Sequence, residues 1–361
     1  MGAKVLVAMS GGVDSSVAAY LLKKQGYECI GCTMKLYDNE DIDVPKGHTC
    51  CSLSDVEDAK SVAYRLDMPY YVFSYEDSFK ERVIDKFVSE YLAGRTPNPC
   101  IDCNKYMKFD LLYHRARVLG CDYIATGHYA RIVEGEGGGF RLLKGLDPGK
   151  DQSYVLYQLS SEQLSHTLFP LGDLSKPEVR RIAEEMGFLN ADKPDSQDIC
   201  FVPDGDYVGF IERYTGKSFE PGEVVNEQGK CIGCHKGAIR YTIGQRKGLG
   251  IAAEAPIFVT GKDVKTNTVF VGPESSVFKK TFAAIDVCWV AGAPKTGETV
   301  RCRAMTRYRK AEQPASIEIT GENAIKGVFD EPQRAITPGQ SVVFYDGDTV
   351  LGGGVIDTVS A

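Results

Sequence analysis

The chain has 361 residues and a formal net charge of −7, and 43% of its residues are apolar and 25% charged. This length allows two or three domains, and the composition is that of an ordinary globular protein. The negative charge argues against a dedicated nucleic-acid coat, although a local basic patch is compatible with it. No apolar run reaches the roughly 18 residues needed to span a membrane, and no export signal begins the sequence, so we expect a cytoplasmic protein without a membrane partner.

Residues 4–126 alternate strand and helix patterns, which is typical of a doubly wound parallel sheet. Gly26 follows the first helix pattern at the position where glycine most often ends a helix. Residues 135–139 predict a flexible hairpin tip, and residues 176–188 predict a further amphipathic helix. The predicted strands are 4–9, 27–36, 70–74 and 122–128, and the predicted helices are 14–26, 54–66 and 76–93.

The sequence changes character after about residue 205, where short strand patterns and Gly/Pro turns begin to dominate. This change predicts small β-rich domains in the second half of the chain. We therefore predict an α/β nucleotide-binding domain over residues 1–205, a central β-rich domain over 206–280 and a C-terminal β-barrel-like domain over 281–361.

The sequence "AMSGGVDSS", residues 8–16, lies between the first predicted strand and the first predicted helix. Gly11 and Gly12 let the backbone approach an anion closely, and the following helix directs free N–H groups and its positive dipole end at the same place. The loop has neither a Walker A motif nor the GxGxxG of a dinucleotide fold. It resembles the pyrophosphatase loop of the N-type ATP pyrophosphatases, which cleave ATP between the α and β phosphates.

Twelve cysteines in a cytoplasmic chain should be mostly reduced, which leaves chemistry, metal binding and packing as their roles. Two of them lie in "RTPNPCIDCNKYMKF", residues 95–109. We predict that Asp102 is the N-cap of a helix and that Cys103 lies in the first turn, where the helix dipole favours a thiolate. Cys103 is therefore a candidate nucleophile, and Cys200, in the polar segment 195–203, is a second candidate.

Eight motifs, in order, resemble the tRNA 2-thiouridylases (tRNA-uridine 2-sulfurtransferases) of bacteria and organelles. They extend over nearly the whole chain, so their combination is much more specific than the ATP loop alone. They are "SGGVDSS" (10–16), "TPNPC…CNKYMKF" (96–109), "ATGHYAR" (125–131), "KDQSYVLYQL" (150–159), "LFPLGDLSKPEVRRIAEEMG" (168–187), "DSQDICF" (195–201), "TIGQRKGLGI" (242–251) and "TPGQSVVFYDGDTVLGGGVI" (337–356).

The resemblance implies ATP-dependent 2-thiolation of the wobble uridine in tRNAs for Lys, Glu and Gln. ATP with Mg²⁺ would adenylate the 2-carbonyl oxygen, which is a poor leaving group by itself, and a sulfur nucleophile would then displace AMP. In the family, Cys200 receives sulfur as a persulfide from a sulfur-donor protein. Cys103 then helps to release the sulfur, leaving a Cys103–Cys200 disulfide. We expect a monomeric enzyme.

The resemblance also implies which residues bind the two substrates. Asp14 would help to place the magnesium-bound pyrophosphate, and residues 98–100 would face the flipped-out base, whose extrusion costs a few kcal/mol. The expected ATP-binding residues are Ala8, Met9, Ser10, Gly11, Gly12, Val13, Asp14, Ser15, Met34 and Gly127. The expected tRNA-binding residues are Asn98, Pro99, Cys100, His128, Lys150, Asp151, Gln152, Arg307, Tyr308 and Gln340.

The segment "RCRAMTRYRK", residues 301–310, supports RNA contact independently of the resemblance. It contains four arginines and one lysine, with Tyr308 among them and no acidic residue. Arginine matches phosphate groups, and an aromatic ring can stack on a base. The alternatives are plainer: a solvated strand face for this run, a structural hydrogen bond for His128 and a core position for Met34.

Position 100 departs from many family members, which have Asp where this chain has Cys100. That Asp has been assigned an acid–base role, so here the role is either vacant or moved, with Asp102 as the candidate. The substitution also creates three thiols, at Cys100, Cys103 and Cys200, which could hold a four-iron–four-sulfur cluster as related tRNA thiolases do. The cluster, rather than a persulfide, would then carry the sulfide, and both alternatives remain open.

A second Cys-x-x-Cys pair, Cys231 and Cys234, lies in a segment that reads as a β-hairpin. We expect these two to be ordinary strand residues, with a zinc site shared with Cys100 and Cys103 as the alternative. Cys50 and Cys51 receive no role. Two other classes of function remain: a small-molecule ligase of the same superfamily, which would not need reactive cysteines, and a non-enzymatic RNA-binding or metal-sensing protein, which would not release pyrophosphate.

Overall fold

The computed structural model describes residues 2–37, 53–135, 138–195, 199–290 and 292–360. Cys50, Cys51, part of the predicted tip at 135–139 and part of the 195–201 motif lie outside these residues. The elements up to residue 215 are β1 (Lys4–Ala8), α1 (Val13–Lys24), β2 (Glu28–Lys35), α2 (Leu53–Arg65), β3 (Tyr70–Ser74), α3 (Glu76–Phe79), α4 (Asp85–Leu92), α5 (Pro99–Asp102), α6 (Leu112–Val118), β4 (Tyr123–Ala125), β5 (Ala130–Glu134), β6 (Phe140–Lys144), α7 (Ser161–Ser165), β7 (Thr167–Leu168), α8 (Lys176–Glu185) and α9 (Tyr207–Thr215).

A parallel five-stranded sheet with the order β3-β2-β1-β4-β7 organises the first half of the chain. The predicted doubly wound fold is therefore confirmed. Val5, Leu6 and Val7 of β1 are fully buried, because a central parallel strand is covered by helices on both faces. The carboxyl ends of the parallel strands meet at one edge of the sheet, which is where ligands bind in folds of this kind.

Two helical segments contain a wider π-helical stretch. Residues Lys80–Ile84 join α3 to α4, so the predicted helix at 76–93 is present as one continuous segment. Residues Cys103–Leu111 join α5 to α6 in the same way. Stretches of this kind are rare in proteins, and those that occur often lie at functional sites. The second one here begins at Cys103.

The second half of the chain is β-rich, as predicted. It contains β8 (Gly222–Asn226), β9 (Cys231–His235), β10 (Phe258–Asp263), β11 (Thr268–Gly272), β12 (Phe278–Trp289), β13 (Thr299–Met305), β14 (Gln313–Gly321), β15 (Ala324–Arg334), β16 (Ser341–Asp346) and β17 (Thr349–Ser360). Strands β8 to β11 form a four-stranded sheet in the order β10-β11-β8-β9. Strands β12 to β17 form a six-stranded barrel that the β12–β17 pairing closes.

The hairpin of β5 and β6 extends the sheet of the barrel rather than the parallel sheet. Strand β6 pairs with β17 at Leu143 and Thr349. The Lys144 ammonium reinforces this junction through an ion pair of 2.9 Å with Glu312. The sequence patterns did not predict this connection, because a two-stranded hairpin carries no signal for the sheet that it joins. It fixes the barrel against the carboxyl end of β4.

The largest buried cluster also joins the α/β part to the barrel. It includes Leu6 of the parallel sheet, Tyr154 and Tyr157 of the connecting segment, and Val343 and Tyr345 of the barrel. The Tyr154 hydroxyl donates to the Ser341 carbonyl at 2.8 Å, so the buried polar group is satisfied across the junction. Within the described residues, no helix has the length and apolar character needed to cross a membrane.

Candidate functional site

The loop between β1 and α1 has the geometry that the sequence predicts for phosphate binding. Gly11 has φ +75°, and a Cβ there would lie 2.3 Å from the Asp55 carbonyl oxygen, so only glycine fits. The Ser15 hydroxyl donates to the Gly12 carbonyl at 3.0 Å and accepts from the Ser10 N–H at 3.2 Å. Gly12 precedes α1 without any side-chain cap, which leaves the end of the helix open to an anion.

The other predicted ATP-binding residues surround this loop. Gly127 follows β4, and a Cβ there would lie 2.8 Å from both the Asp14 carbonyl carbon and the Ser15 nitrogen. Met34 lies at the end of β2, and its side chain is buried, as are those of Met9 and Val13. These three residues can therefore contribute to a nucleotide site mainly through backbone groups.

The Asp14 carboxylate is held by two residues that the sequence analysis did not single out. The Lys176 ammonium lies 2.7 Å from Oδ1 and 2.8 Å from Oδ2, and the Tyr129 hydroxyl donates to Oδ1 at 2.7 Å. Burial, followed by the charge of Asp14, raises the pKa of Tyr129, so the phenol stays a donor. Lys176 is the first residue of α8, where a cation opposes the helix dipole.

Asp195 lies at the centre of a group of cations next to the loop. Lys176 contacts its Oδ1 at 2.7 Å, Lys150 contacts its Oδ2 at 2.6 Å, and Arg180 lies 3.3 Å from Oδ1. Burial alone would raise the pKa of Asp195, but the hydrogen bonds from Lys150 and Lys176 lower it to about 2. The carboxylate is therefore ionised at neutral pH and holds both lysines in place beside the phosphate loop.

A fourth cation, Lys193, approaches the loop from the other side. Lys193 lies 2.5 Å from Asp55 and 2.8 Å from Asp58, and its ammonium is 3.4 Å from the Gly11 carbonyl. The Asn190 amide donates to the same carbonyl at 2.9 Å. Lys176 and Lys193 thus flank the loop, which is the charge arrangement that a polyphosphate requires.

The helix of the cysteine segment begins earlier than predicted. Its N-cap is Asn98, whose Oδ1 accepts from the Cys100 N–H at 3.2 Å, and Pro99 occupies the first turn. The prediction of Asp102 as N-cap was wrong, because proline at the first helical position starts the helix four residues sooner. Cys100, rather than Cys103, lies in the first turn, and Cys103 follows one turn later on the same side.

Asp102 does not share a face with the two cysteines. Its side chain is buried and pairs with Lys86 of α4 at 2.8 Å. Burial raises the pKa of Asp102, and the Lys86 charge opposes this rise. Cys100 is exposed and Cys103 half-buried, so the two thiols and the Asp102 carboxylate point to different surroundings. This placement argues against Asp102 as the substitute for the family Asp at position 100.

Cys103 and Cys200 pack against the same buried cluster from partly exposed positions. The Tyr37 hydroxyl donates to the Cys200 carbonyl at 2.7 Å, which attaches this segment to the end of β2. Among the described residues there is no group of three His, Cys, Asp or Glu side chains arranged to hold a metal ion.

Cys231 and Cys234 are exposed residues of β9, which pairs with β8 as an antiparallel hairpin. The prediction that they lie in a β-hairpin is therefore confirmed. The zinc site shared with Cys100 and Cys103 finds no support, because the described residues contain no three-residue metal group. No role in the site is assigned to this pair.

Residues 150–152 connect the phosphate loop to the barrel. Lys150 pairs with Asp195, and the Gln152 side chain accepts from the Tyr129 N–H at 3.0 Å. Asp151 caps its own turn by accepting from the Gly145 and Ser153 N–H groups at 2.9 and 3.1 Å. Its backbone carbonyl accepts from the Tyr308 hydroxyl at 3.3 Å. These three predicted tRNA-binding residues thus also have structural contacts.

Tyr308 brings the predicted RNA-binding segment to the cysteine helix. Burial is the largest influence that raises the pKa of Tyr308, and Asp151 and Cys100 are smaller ones. The Arg309 guanidinium lies 5.5 Å from the Tyr308 ring centre. The structure therefore brings Cys100, Asp151 and Tyr308 together at one surface, as a site for a nucleotide requires.

Three predicted tRNA-binding residues are buried, namely Pro99, His128 and Gln340. His128 accepts or donates at 2.7 Å with Thr126, and burial, with the Lys108 charge as a second cause, lowers its pKa well below the ordinary value. Its imidazole is therefore neutral. Gln340 donates to the Thr96 carbonyl at 2.7 Å and so supports the segment that leads to Asn98. RNA contact by these three residues stays a prediction.

The sequence analysis missed Tyr129, Lys176, Asn190, Lys193 and Asp195 as members of the phosphate site. All five lie more than 100 residues from the loop in sequence, beyond the reach of periodicity arguments. One signal was present in the sequence: a lysine directly after Ser175, at the start of an amphipathic helix, is electrostatically unfavourable unless an anion compensates it.

Three domain families match successive parts of the chain. Residues 3–204 match the tRNA methyl transferase HUP domain, residues 208–273 the tRNA methyl transferase PRC-barrel domain, and residues 279–356 the aminomethyltransferase beta-barrel domain. Among solved structures, the NMN synthetase from Francisella tularensis matches with 16% identity and a TM-score of 0.33, covering 60% of this chain and 79% of that one.

Curated relatives match over almost the full length of the chain. The tRNA-specific 2-thiouridylase MnmA of Clostridioides difficile is 52% identical over 358 residues, covering 99% of both chains. The protein of the same name from Geotalea uraniireducens is 50% identical and covers 98% of this chain and 95% of its own. Identity at this level over the whole length, together with the matching HUP domain, shows that the chain belongs to the tRNA-specific 2-thiouridylase family.

Proposed function

We propose that this chain is an ATP-dependent tRNA-uridine 2-sulfurtransferase that thiolates the wobble uridine of tRNAs for Lys, Glu and Gln. The observation that carries the proposal is the segment 150–152, which connects the lysine-flanked phosphate loop to the Cys100–Tyr308 surface. A reaction that activates a base with ATP and then transfers sulfur needs these two sites side by side. Membership of the 2-thiouridylase family supports the same function.

In the activation step, the loop binds ATP and the 2-carbonyl oxygen of the uridine attacks the α-phosphate, which releases pyrophosphate. The open end of α1 and the ammonium groups of Lys176 and Lys193 stabilise the negative charge of the leaving pyrophosphate. The Asp195 carboxylate orients Lys176 and Lys150. The oxygen becomes part of an adenylate, which is a much better leaving group than the free carbonyl oxygen.

Asp14 fits a magnesium ion by its chemistry. Mg²⁺ in phosphoryl-transfer sites usually takes one or two carboxylates together with substrate phosphates and water. The Asp14 carboxylate stands at the phosphate loop with about one third of its side chain exposed, which leaves it accessible to a metal–nucleotide complex. A bound Mg²⁺ would neutralise charge on the phosphates. Lys176 holds the same carboxylate and so sets its orientation.

In the transfer step, Cys200 carries a persulfide received from a sulfur-donor protein. The terminal sulfur attacks C2 of the adenylated uridine and expels AMP. Cys103 then attacks the Cys200 sulfur, which releases the 2-thiouridine and forms a Cys103–Cys200 disulfide. A thiol reductant restores both thiols for the next turnover. The half-buried positions of both cysteines beside one cluster suit a thiol that meets a base away from bulk water.

The alternative carrier is a four-iron–four-sulfur cluster on Cys100, Cys103 and Cys200. The three thiols are the ligand type that such clusters use. Against it stands the geometry, because the described residues contain no three-residue group arranged for a metal ion. We therefore derive no step through a cluster, and the persulfide is the carrier that we propose.

The test is a thiolation assay on an unmodified tRNA transcript with ATP, Mg²⁺ and a persulfide donor, with 2-thiouridine and AMP both measured. We expect Cys103→Ser and Cys200→Ser to abolish 2-thiouridine, while Cys231→Ser, which removes an exposed thiol on β9, has no effect. Full thiolation by Cys103→Ser would overturn the assigned chemistry. A failure of the wild type to form AMP with any tRNA would overturn the function itself.

Iron and sulfide analysis of protein purified without oxygen separates the two carriers. Roughly four of each per chain, lost in Cys100→Ala, would support the cluster. Negligible iron in a preparation that thiolates tRNA would support the persulfide. Cys100→Ser gives an independent comparison, because the persulfide route keeps its activity without that thiol and the cluster route does not.

A further inference from the structure

The basic run 301–310 contains two kinds of cation. The two terminal guanidinium nitrogens of Arg301 donate to the two carboxylate oxygens of Asp330. Arg303 pairs with Glu312 at 3.2 Å. Arg301 is therefore neutralised on the surface of the barrel, and Arg303 is partly compensated because it shares Glu312 with Lys144. By contrast, no carboxylate among the described residues lies within ion-pair distance of Arg307, Arg309 or Lys310. The sequence does not distinguish the two groups, because the neutralising acids come from other strands.

Lys310 joins a second basic segment at the end of β15. Its ammonium donates to the Arg334 carbonyl at 3.0 Å. The Lys310 N–H donates to the Arg307 carbonyl at 3.1 Å, so the three residues are neighbours. Burial, followed by the charges of Arg307 and Arg334, lowers the pKa of Lys310. The carboxylate next to this cluster is Glu274, an exposed residue 3.1 Å from Arg334. The positive charge of the cluster is thus only partly compensated.

The backbone beside the cluster is strained on both segments. Arg309 has φ +62° and Ala335 has φ +54°, conformations that residues other than glycine rarely adopt. Each residue stands directly next to a cation of the cluster, Lys310 in one case and Arg334 in the other. Such strained positions persist where the surrounding structure requires them, and they concentrate at binding sites.

The cluster lies between the barrel and the four-stranded sheet. The Arg334 guanidinium donates to the Gly244 carbonyl at 3.2 Å and lies 5.3 Å from the ring centre of Phe258 in β10. On its other side, Arg307 directly precedes Tyr308, which lies near Cys100. A chain of cations therefore leads from the cysteine helix to the central β-rich part of the protein.

We propose that Arg307, Lys310 and Arg334 form a seat for consecutive phosphates of the tRNA strand that leaves the target nucleotide. The proposal rests on the proposed function and adds Lys310, Arg334 and the central β-rich part to the tRNA-binding surface. An RNA backbone fits the seat because it presents regularly spaced negative charges without requiring a deep pocket. Glu274 acts against this binding, because its carboxylate competes for Arg334.

The test is the salt dependence of tRNA binding, measured for Lys310→Gln, Arg334→Gln and the double variant. The logarithm of the association constant for tRNA falls linearly with the logarithm of the salt concentration. Each lost contact with a single-stranded phosphate should make this slope less steep by about 0.7, which corresponds to about fivefold weaker binding at 0.1 M salt. The matched control is Arg301→Gln, which removes the same charge from the same run but leaves binding and slope unchanged. Glu274→Gln should tighten binding, an effect that misfolding cannot produce.

The outcomes separate this inference from the function on which it rests. If the wild type binds and thiolates tRNA while Lys310→Gln and Glu274→Gln bind with unchanged slopes, the seat is refuted and the function stands. If Arg301→Gln weakens binding as much as Lys310→Gln, only the total charge matters and the seat is refuted too. Lys310→Gln could instead lose the binding of inorganic pyrophosphate while the salt dependence of tRNA binding stays unchanged. The cluster would then be a site for a free anion, and the proposed contact with RNA would be wrong.

Discussion

The ammonium group of Lys176 lies 2.7 Å from Asp14 Oδ1 and 2.7 Å from Asp195 Oδ1, so one buried lysine holds together two carboxylates that are 181 residues apart in sequence. Its side chain is only 9% exposed. Because the lysine is already fixed before ATP binds, little reorganisation is needed when the pyrophosphate develops its charge. Lys176 is therefore the residue through which α8 acts on the phosphate loop.

Replacement of Lys176 by Ala should reduce the rate of AMP formation by about 100-fold or more, since removal of one preorganised donor has an effect of this size in other enzymes. The Kd for tRNA should change little, because the ion pairs of Lys176 are with Asp14 and Asp195 and not with a predicted tRNA-binding residue. The control is Lys24→Ala at the exposed end of α1. An unchanged rate of AMP formation in Lys176→Ala would show that the lysine serves stability alone.

Replacement of Gly127 by Ala should weaken ATP binding. The added Cβ would lie 2.8 Å from backbone atoms of Asp14 and Ser15, and the first turn of α1 would have to move. Overpacking of this kind costs about 1–3 kcal/mol. Nucleotide titration and the melting temperature give the measurement. Gly139→Ala, which meets its nearest atom at an ordinary 3.7 Å, is the control, and equal behaviour of the two variants would contradict the packing argument.

The ion pairs of Asp195 should make stability depend on acid pH. Its pKa of about 2 in the folded protein lies below the value of about 3.9 for an unfolded chain. A depressed pKa contributes stability that is present above about pH 4 and is lost as the pH falls towards 2. Asp195→Asn should therefore lower the melting temperature at pH 7, and this difference should shrink as the pH falls towards about 2. The exposed neighbour Asp192, changed to Asn, should have no such pH-dependent effect.

Asp102 should prove structural rather than catalytic. Asp102→Asn removes the ion pair with Lys86, which should destabilise the protein by about 1–3 kcal/mol. Thiolation per folded molecule should remain, because the carboxylate faces α4 and not the cysteines. Asp110→Asn breaks a more exposed pair, with Arg82, and should cost less than about 1 kcal/mol. A thiolation rate that falls with Asp102→Asn while stability is unchanged would restore Asp102 as the acid–base group.

Much of the fold could be predicted from local sequence. The apolar run of β1, the helix that ends before Gly26 and the glycine loop between them follow from residue type and spacing, and the structure confirms them. The start of the helix at 99 was misjudged because two signals competed, Asp102 as a cap and Pro99 at the first position, and proline prevailed. The hairpin at 130–144 was predicted, but not the barrel sheet that it joins.

The sequence by itself determined the alternation of strands and helices, the phosphate loop, the two candidate cysteines and the family, because each depends on neighbouring residues or on ordered motifs. Only the tertiary structure decided which charges are compensated. Lys176 meets Asp14, Asp102 turns away from Cys103, and Arg301 is neutralised while Lys310 is not. These relationships involve residues that are distant in the chain or that face opposite sides of one helix. The distances between their side chains are fixed only by tertiary packing.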